Sequence, residues 1–306
     1  MRIDSLTYHN STLLGMRDNQ SGIARLSQQI AADLKILQPK DDPIATEQIL
    51  DLSNRVATRT QFASNQDRAS LALKYETTVL SEMQKAVDGA RALIAGVTPS
   101  NDAGVKQYIA DRLAGYANQI LDLANTRDPS GNYIFGGFNT VDKPFTNPLD
   151  GTATATTYVG TPNPGGTRFI EIEVGRTVQV SDNLDAVFKA GDAGGNDLLQ
   201  ELDRAIASLN ANTATQADLN GWLALMGTAV TNLNGISYRV SAVYGEVDDV
   251  RKTSGALKVQ EQNALGDLQT LDKEAAILEL QMRQTSLEAA QRSYAKISGL
   301  SLFNFI

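Results

Sequence analysis

Two adjacent carboxylates are the first residues in this chain that could do chemistry. Asp41 and Asp42 lie between Pro39 and Pro43. Paired acids can serve in general acid/base catalysis or bind a divalent cation. An acidic residue directly before a proline is, however, typical of a helix start, where the carboxylate caps free N–H groups and proline takes the first helical position. We interpret Pro39, Asp41, Asp42 and Pro43 as a helix-start turn.

Other candidate sites are sparse. The chain has no cysteine and a single histidine, His9, so thiolate sites and histidine-pair metal sites are excluded. Residues 128–132 lack the lysine and the preceding strand of a phosphate-binding loop and indicate a turn. Residues 191–197 resemble one copy of a calcium-binding repeat, but a linker ending in an Asx cap is the better interpretation. We predict no catalytic residue, no metal site and no cofactor, and therefore no enzyme.

The charge of the chain excludes further classes. A net charge of -8 and a pI near 4.8 argue against binding to nucleic acid, which needs clustered lysine and arginine. Most of the acidic excess falls in residues 41–256. We find no cleavable signal peptide in residues 1–22 and no apolar run long enough for membrane insertion.

Apolar residues at helical spacing organise the rest of the chain. Spacings of three and four over residues 23–37 predict an amphipathic helix, which the prolines then interrupt. A long second helix should begin at residue 43, and a third should run to about residue 125. A heptad seam over residues 219–247 is the strongest signal. We predict that these helices form a rod whose core comprises Leu80, Val87, Ile94, Leu219, Met226, Leu233, Val240 and Val247.

The segment between residues 126 and 195 has a different composition, rich in Gly, Pro, Thr, Asn and Asp. Apolar residues at 170, 172 and 174 alternate with charged ones, which predicts a half-buried strand. Residues 133–135, 156–159 and 177–180 are its candidate partners. We predict a small β-rich insertion.

The last helical segment has two apolar rows on different faces. A helix with two such faces needs two neighbours, of which the amino-terminal helix can be only one. The sequence also ends in the apolar residues 300–306, a surface better explained as buried on assembly. The predicted assembly interface comprises Ile23, Leu26, Ile30, Leu34, Leu37, Leu280, Leu287, Tyr294, Leu300, Leu302, Phe303, Phe305 and Ile306.

Four stretches of the sequence resemble one family. They are residues 1–3, the turn at residues 39–45, the junction from residue 124 to the Tyr-Ile-Phe-Gly-Gly at 133–137, and residues 293–306. Together they resemble the bacterial flagellar hook-associated protein 3 family, flagellin-like proteins of the junction between hook and filament. The ending Gly-Leu-Ser-Leu-Phe-Asn-Phe-Ile separates this family from flagellin itself.

This resemblance implies a mainly α fold in which the terminal segments form a long antiparallel coiled coil or bundle with a small β-rich inserted domain. We expect residues 1–40 and 258–306 to form a terminal assembly domain, residues 41–130 and 192–257 a helical rod, and residues 131–191 the outer β-rich domain. The ends of the free protein should be disordered and fold on binding.

The function implied is that of a structural adaptor, secreted through the flagellar type III export apparatus without a cleaved signal peptide. Its expected partners are itself, another hook-associated protein, flagellin and an export chaperone. Three alternatives stay open: a flagellin or minor filament subunit, an enzyme displayed through the insertion, and a module that binds host glycans.

Overall fold

The fold is known from a computed structural model that describes residues 2–152, 156–158, 166–189 and 197–303. Chain contacts divide it into two compact units, the first made of residues 1–58 and 256–306 and the second of residues 59–255. The mainly α fold predicted from the sequence is confirmed. The three-domain division, with its outer boundaries at residues 40 and 258, stays a prediction beside this two-unit division.

Seven helices are present in the described residues. They are α1 (Arg2–Ala32), α2 (Pro43–Ala95), α3 (Ala103–Ala124), α4 (Asp185–Phe188), α5 (Leu198–Asn210), α6 (Gln216–Gln269) and α7 (Lys273–Phe303). None of them is long and apolar enough to cross a membrane.

Local capping explains where several of these helices begin. Asp197 caps α5 by accepting a hydrogen bond from the N–H of Leu199 at 2.8 Å. A capping box starts α6, because the Asp218 carboxylate accepts from the N–H of Thr215 and the Thr215 hydroxyl accepts from the N–H of Asp218. The predicted Asx cap is thus Asp197, whereas residues 191–196 lie outside the described residues.

The first helix ends earlier than its apolar pattern predicts. Asp33 has a φ of 58°, a left-handed conformation that stops α1 at Ala32. Leu34 then pairs with Thr270 in an isolated β-bridge, and the N–H of Lys35 donates to the carbonyl of Gln269 at 2.8 Å. Leu34 and Leu37 therefore lie beyond the helix to which the sequence assigned them.

In the part of the chain that the structure describes, the β structure consists of two short antiparallel strand pairs. Strand β1 (Phe145–Thr146) pairs with β2 (Thr157–Tyr158), and β3 (Phe169–Glu173) pairs with β4 (Arg176–Gln179). Gly175, with a φ of 71°, allows the tight turn between β3 and β4.

Three expectations about these strands are wrong. Residues 133–135 do not pair with β3. Tyr133 forms an isolated β-bridge with Arg127, and the chain then turns back at Gly136 and Gly137. Residues 157–158 pair with β1 instead of β3. Val174 is 78% exposed, since it belongs to the turn after β3.

The second unit contains the main hydrophobic core. All eight residues predicted for the rod core lie in it, each 1% exposed or less. The core continues from the helices into the β region through Phe135, Phe145 and Phe188, and the rings of Phe145 and Phe188 lie 4.7 Å apart. The helices and the β insertion of this unit therefore share one core.

Candidate assembly surface

The segment between α1 and α2 forms the turn that the prolines predicted. Pro43 is the first residue of α2, and the Asp42 carboxylate accepts a hydrogen bond from the N–H of Ala45 at 3.0 Å. The Asp41 carboxylate accepts from the N–H groups of Leu37 and Gln38 at 3.3 and 3.1 Å. One acid thus caps the helix and the other closes the preceding turn, so both serve structure.

Further contacts fasten this turn to α1. The guanidinium of Arg25 lies 3.4 Å from the Asp41 carboxylate. The buried Gln29 side chain donates to the carbonyl of Lys35 at 2.6 Å. These bonds fix the path of the chain from α1 to α2 within the first unit.

Helices α1 and α7 pack along each other in the first unit. Leu26 and Ala276 are buried, and the side chain of Arg283 lies against Gly22, where an added Cβ would come within 2.6 Å of its guanidinium. Asn19 and Ser286 are joined by a 3.4 Å hydrogen bond. The pair of terminal helices is therefore a mixed apolar and polar contact with few buried side chains.

Six of the residues predicted as the assembly interface are buried or half-buried residues of these two helices. Leu280, Leu287 and Tyr294 are half-buried and share a helical face with Ala276 and Arg283. On the amino-terminal side, Leu26 is buried, Ile23, Ile30 and Leu37 are partly buried, and Leu34 is exposed. Their role in assembly stays a prediction, because within one chain these rows already have a partner.

The end of the chain is described only in part. Leu300, Leu302 and Phe303 belong to α7 by their backbone, whereas their side chains lie outside the described residues. Phe305 and Ile306 lie outside them altogether, and so does the side chain of His9.

A different apolar row of α7 is exposed to solvent. Ile277, Leu278 and Met282 are 44%, 58% and 60% exposed, and Leu13 and Leu14 of α1 are also exposed. The sequence pattern contained both rows of α7 but not the information about which one meets α1. We call Leu13, Leu14, Ile277, Leu278 and Met282 the outer apolar row.

A buried acid of α6 was also missed from the sequence. Glu261 is 6% exposed, and the Arg55 guanidinium of α2 contacts its carboxylate at 2.9 Å. The signal was present, since Glu261 lies seven residues after Ser254 and fourteen after Val247, in the row that carries the heptad seam. A charged residue at such a position indicates a paired, buried charge.

The described residues contain no group of three or more acidic or histidine side chains that could hold a metal ion. The first unit contains two paired helices, a turn held by hydrogen bonds to α1, and exposed apolar side chains. Such a surface can bind another protein.

Comparison with known proteins shows which proteins this chain resembles. The family model for the bacterial flagellin N-terminal helical region matches residues 3–140. The chain is 25% identical to flagellar hook-associated protein 3 of Escherichia coli K12 over 326 residues, which cover 99% of both chains. The chain is therefore similar to flagellin-like proteins.

Two further proteins are similar to this chain. Flagellar hook-associated protein 3 of Salmonella typhimurium LT2 is 23% identical over 327 residues, again 99% of both chains. The crystal structure of the flagellar junction protein FlgL from Legionella pneumophila has a TM-score of 0.60, with 16% identity over 72% of this chain and 99% of that chain. At this identity the structural likeness concerns the fold alone. The resemblance to hook-associated protein 3 extends over the full chain.

Proposed function

We propose that the chain is a non-catalytic structural subunit of the bacterial flagellum that joins a hook-associated protein to flagellin at the hook-filament junction. The observation that carries this proposal is the match to two proteins named flagellar hook-associated protein 3 along 99% of their length and of this chain. A match of that extent includes both terminal helices and the inserted β region.

The outer apolar row supplies the binding surface that such a subunit needs. Burying an exposed leucine or methionine side chain on a partner stabilises a complex by roughly 1–2 kcal/mol. Helices α1 and α7 each pack one face against the other helix. The outer apolar row stays exposed and is available to a neighbouring subunit. A contact between two different faces of successive subunits is head-to-tail, as a ring or helical assembly requires.

The site of action follows from the same proposal. The subunit works outside the cell, in the flagellum, after export through the type III apparatus with the help of a chaperone. The resemblance supports this route, and the absence of cysteine from the sequence is compatible with it.

Substitutions in the outer apolar row test the proposal. Leu278→Gln combined with Met282→Gln should leave the isolated protein folded, because both side chains are exposed, while motility is lost in cells that carry only this variant. Gln284→Ala, an exposed position on the same helix, is the matched control and should swim normally. Normal motility of the double variant, with wild-type amounts secreted, would contradict a binding role for this row.

Removal of residues 300–306 tests the predicted role of the tail separately. The shortened protein should fold, with Trp222 fluorescence like that of the full chain, and should fail to bind to hooks isolated from cells that lack it. Binding with unchanged affinity would remove the tail from the assembly surface.

A filament subunit is the second candidate, because the family model that matches residues 3–140 describes flagellin. The two functions differ in what they need for growth. Purified protein that forms long filaments in a concentration-dependent manner without hooks would favour the filament subunit, whereas an adaptor should add only to a hook end.

A further inference from the structure

A buried polar cluster in the second unit joins the connection after β4 to a long helix. Glu76 of α2 is 2% exposed, and Asp182, in the connection between β4 and α4, is 5% exposed. The backbone N–H of Asp182 donates to Oε1 of Glu76 at 3.1 Å. Two carboxyl groups are thus held together inside the protein, where a charged form is costly.

The positive groups around this pair favour one of the two acids. The guanidinium of Arg239, on α6, forms an ion pair with Asp182, and the Gln179 amide donates to the same carboxylate oxygen at 2.7 Å. The other guanidinium that acts on Glu76 is that of Arg168, which precedes β3. Asp182 therefore has the direct bonds of an ionised carboxylate, whereas Glu76 has only more distant positive charge.

Glu76 lines a pocket together with further polar groups. Arg68 and Tyr75 come from α2, and Asp128 comes from the turn after α3. The Asp128 carboxylate is already bonded by the N–H groups of Ser130 and Asn132 at 2.8 and 3.0 Å. Among the described residues, the ion pair in this cluster is made by Asp182, and Glu76 accepts a hydrogen bond from the backbone N–H of Asp182.

The pKa values follow from this arrangement. Burial, and next the charge of Asp182, raise the pKa of Glu76 to about 8, although the N–H of Asp182 and the two arginines oppose the shift. Burial also raises the pKa of Asp182, against the opposing effect of Arg239 and its hydrogen bonds. A hydrogen bond between the two side chains favours the ionised form of Asp182.

We propose that Glu76 stays protonated in the folded subunit at neutral pH and that its O–H donates a hydrogen bond to the Asp182 carboxylate. This hydrogen bond links residues 179–184 to α2. The connection after β4 leads from the β3–β4 hairpin to α4, so this proton links the inserted β region to the helical core. Mildly alkaline solution removes the proton, leaves two adjacent negative charges with one bonded guanidinium, and loosens the connection.

The direction of the pH dependence follows from linkage. The folded chain holds a proton on Glu76 that the unfolded chain releases near the ordinary pKa of 4.5. The stabilisation is therefore complete below pH 4.5 and is lost progressively as pH rises through about 8. One such proton changes the folding equilibrium constant by at most about tenfold per pH unit within that window.

The test is chemical unfolding at pH 5 to 9, followed by the fluorescence of Trp222, the single tryptophan, which is buried in the second unit. Glu76→Gln keeps an N–H donor and cannot ionise. Wild type should lose stability as pH rises, by up to about tenfold in the equilibrium constant per unit. The variant should lack that loss and be the more stable protein at pH 9.

Asp88→Asn, at an exposed position of α2, is the matched control and should retain the wild-type slope. Parallel profiles of wild type and Glu76→Gln would overturn the proposal. If Glu76→Gln does not fold, infrared spectroscopy of the wild-type protein tests the proposal without a variant. A band of a protonated carboxyl group should be present at pH 6.5 and vanish by pH 9.5, and its absence at pH 6.5 would overturn the proposal as well.

Discussion

Arg55 of α2 holds the carboxylate of Glu261 of α6 through two of its nitrogens. Nε donates to Oε1 at 3.1 Å, and Nη2 lies 2.9 Å from the same oxygen. The Glu261 side chain is nearly buried, whereas more than half of the Arg55 side chain is exposed. The Arg55 guanidinium therefore stabilises the charge of Glu261 at a position where water reaches the carboxylate poorly.

Arg55→Ala should destabilise the first unit by about 1–2 kcal/mol, because it removes two close guanidinium contacts from a nearly buried carboxylate. Arg292→Ala is the control, since Arg292 and Glu288 form an exposed pair at 3.7 Å. Its effect should stay below about 0.5 kcal/mol. Denaturant unfolding followed by circular dichroism measures both, and equal effects would show that burial of Glu261 carries no cost.

The cap of α2 makes a second prediction. Asp42→Ala should cost about 1 kcal/mol of stability, because the N–H of Ala45 loses its acceptor. Asp42→Asn keeps an acceptor oxygen and should cost only a few tenths of that amount. The same unfolding measurement applies. If the asparagine variant lost as much as the alanine variant, the negative charge at the helix start would be the source of the stabilisation instead.

Gly136 is expected to be intolerant of any side chain. A Cβ at this position would lie 2.1 Å from the carbonyl oxygen of Asn139, inside the turn closed by the hydrogen bond from Asn139 N–H to Gly136. Gly136→Ala should therefore destabilise the second unit by about 1–3 kcal/mol.

Gly115→Ala provides the matched control for Gly136, because Gly115 is an exposed residue of α3 with open space around its Cα. It should stabilise the same unit by about 0.5–1 kcal/mol through helix propensity. Trp222 fluorescence during unfolding reports on both variants, and destabilisation by both would contradict the steric explanation.

The terminal helices should exchange their amide hydrogens much faster than the rod core. Among the described residues of α1 and α7, the only buried apolar side chains are Leu26 and Ala276. In the seam at residues 219–247, by contrast, one buried residue follows another every seven positions: Leu219, Met226, Leu233, Val240 and Val247. Sparse burial gives low local stability. Hydrogen exchange of the monomer measures this, and protection at residues 23–37 or 268–294 equal to that at residues 219–247 would refute the prediction.

Sequence patterns predicted the helices of this fold better than its strands. Heptads such as Leu219, Met226 and Leu233 repeat over many turns, and each repeat adds to the signal. Strand partners could not be found in this way, because β1 has two residues and its pairing with β2 depends on tertiary contacts with α3. Which row of α7 meets α1 was equally hidden, since both rows are apolar.

Two buried acids could have been anticipated from their positions in the same patterns. Glu76 lies between Leu73 and Leu80, at a seam position of α2, and Glu261 continues the seam of α6. Their burial follows from helical periodicity alone. Helical periodicity could not predict their partners. Asp182, for example, lies far from Glu76 in sequence, and the β4–α4 connection brings it close to Glu76.

The most direct measurement of the proposed function is immunogold labelling of intact cells of the source bacterium with antibodies against this chain. The adaptor function predicts a single narrow band of label on each flagellum, at the boundary between hook and filament. Label along the whole filament, or none on the flagellum, would contradict it.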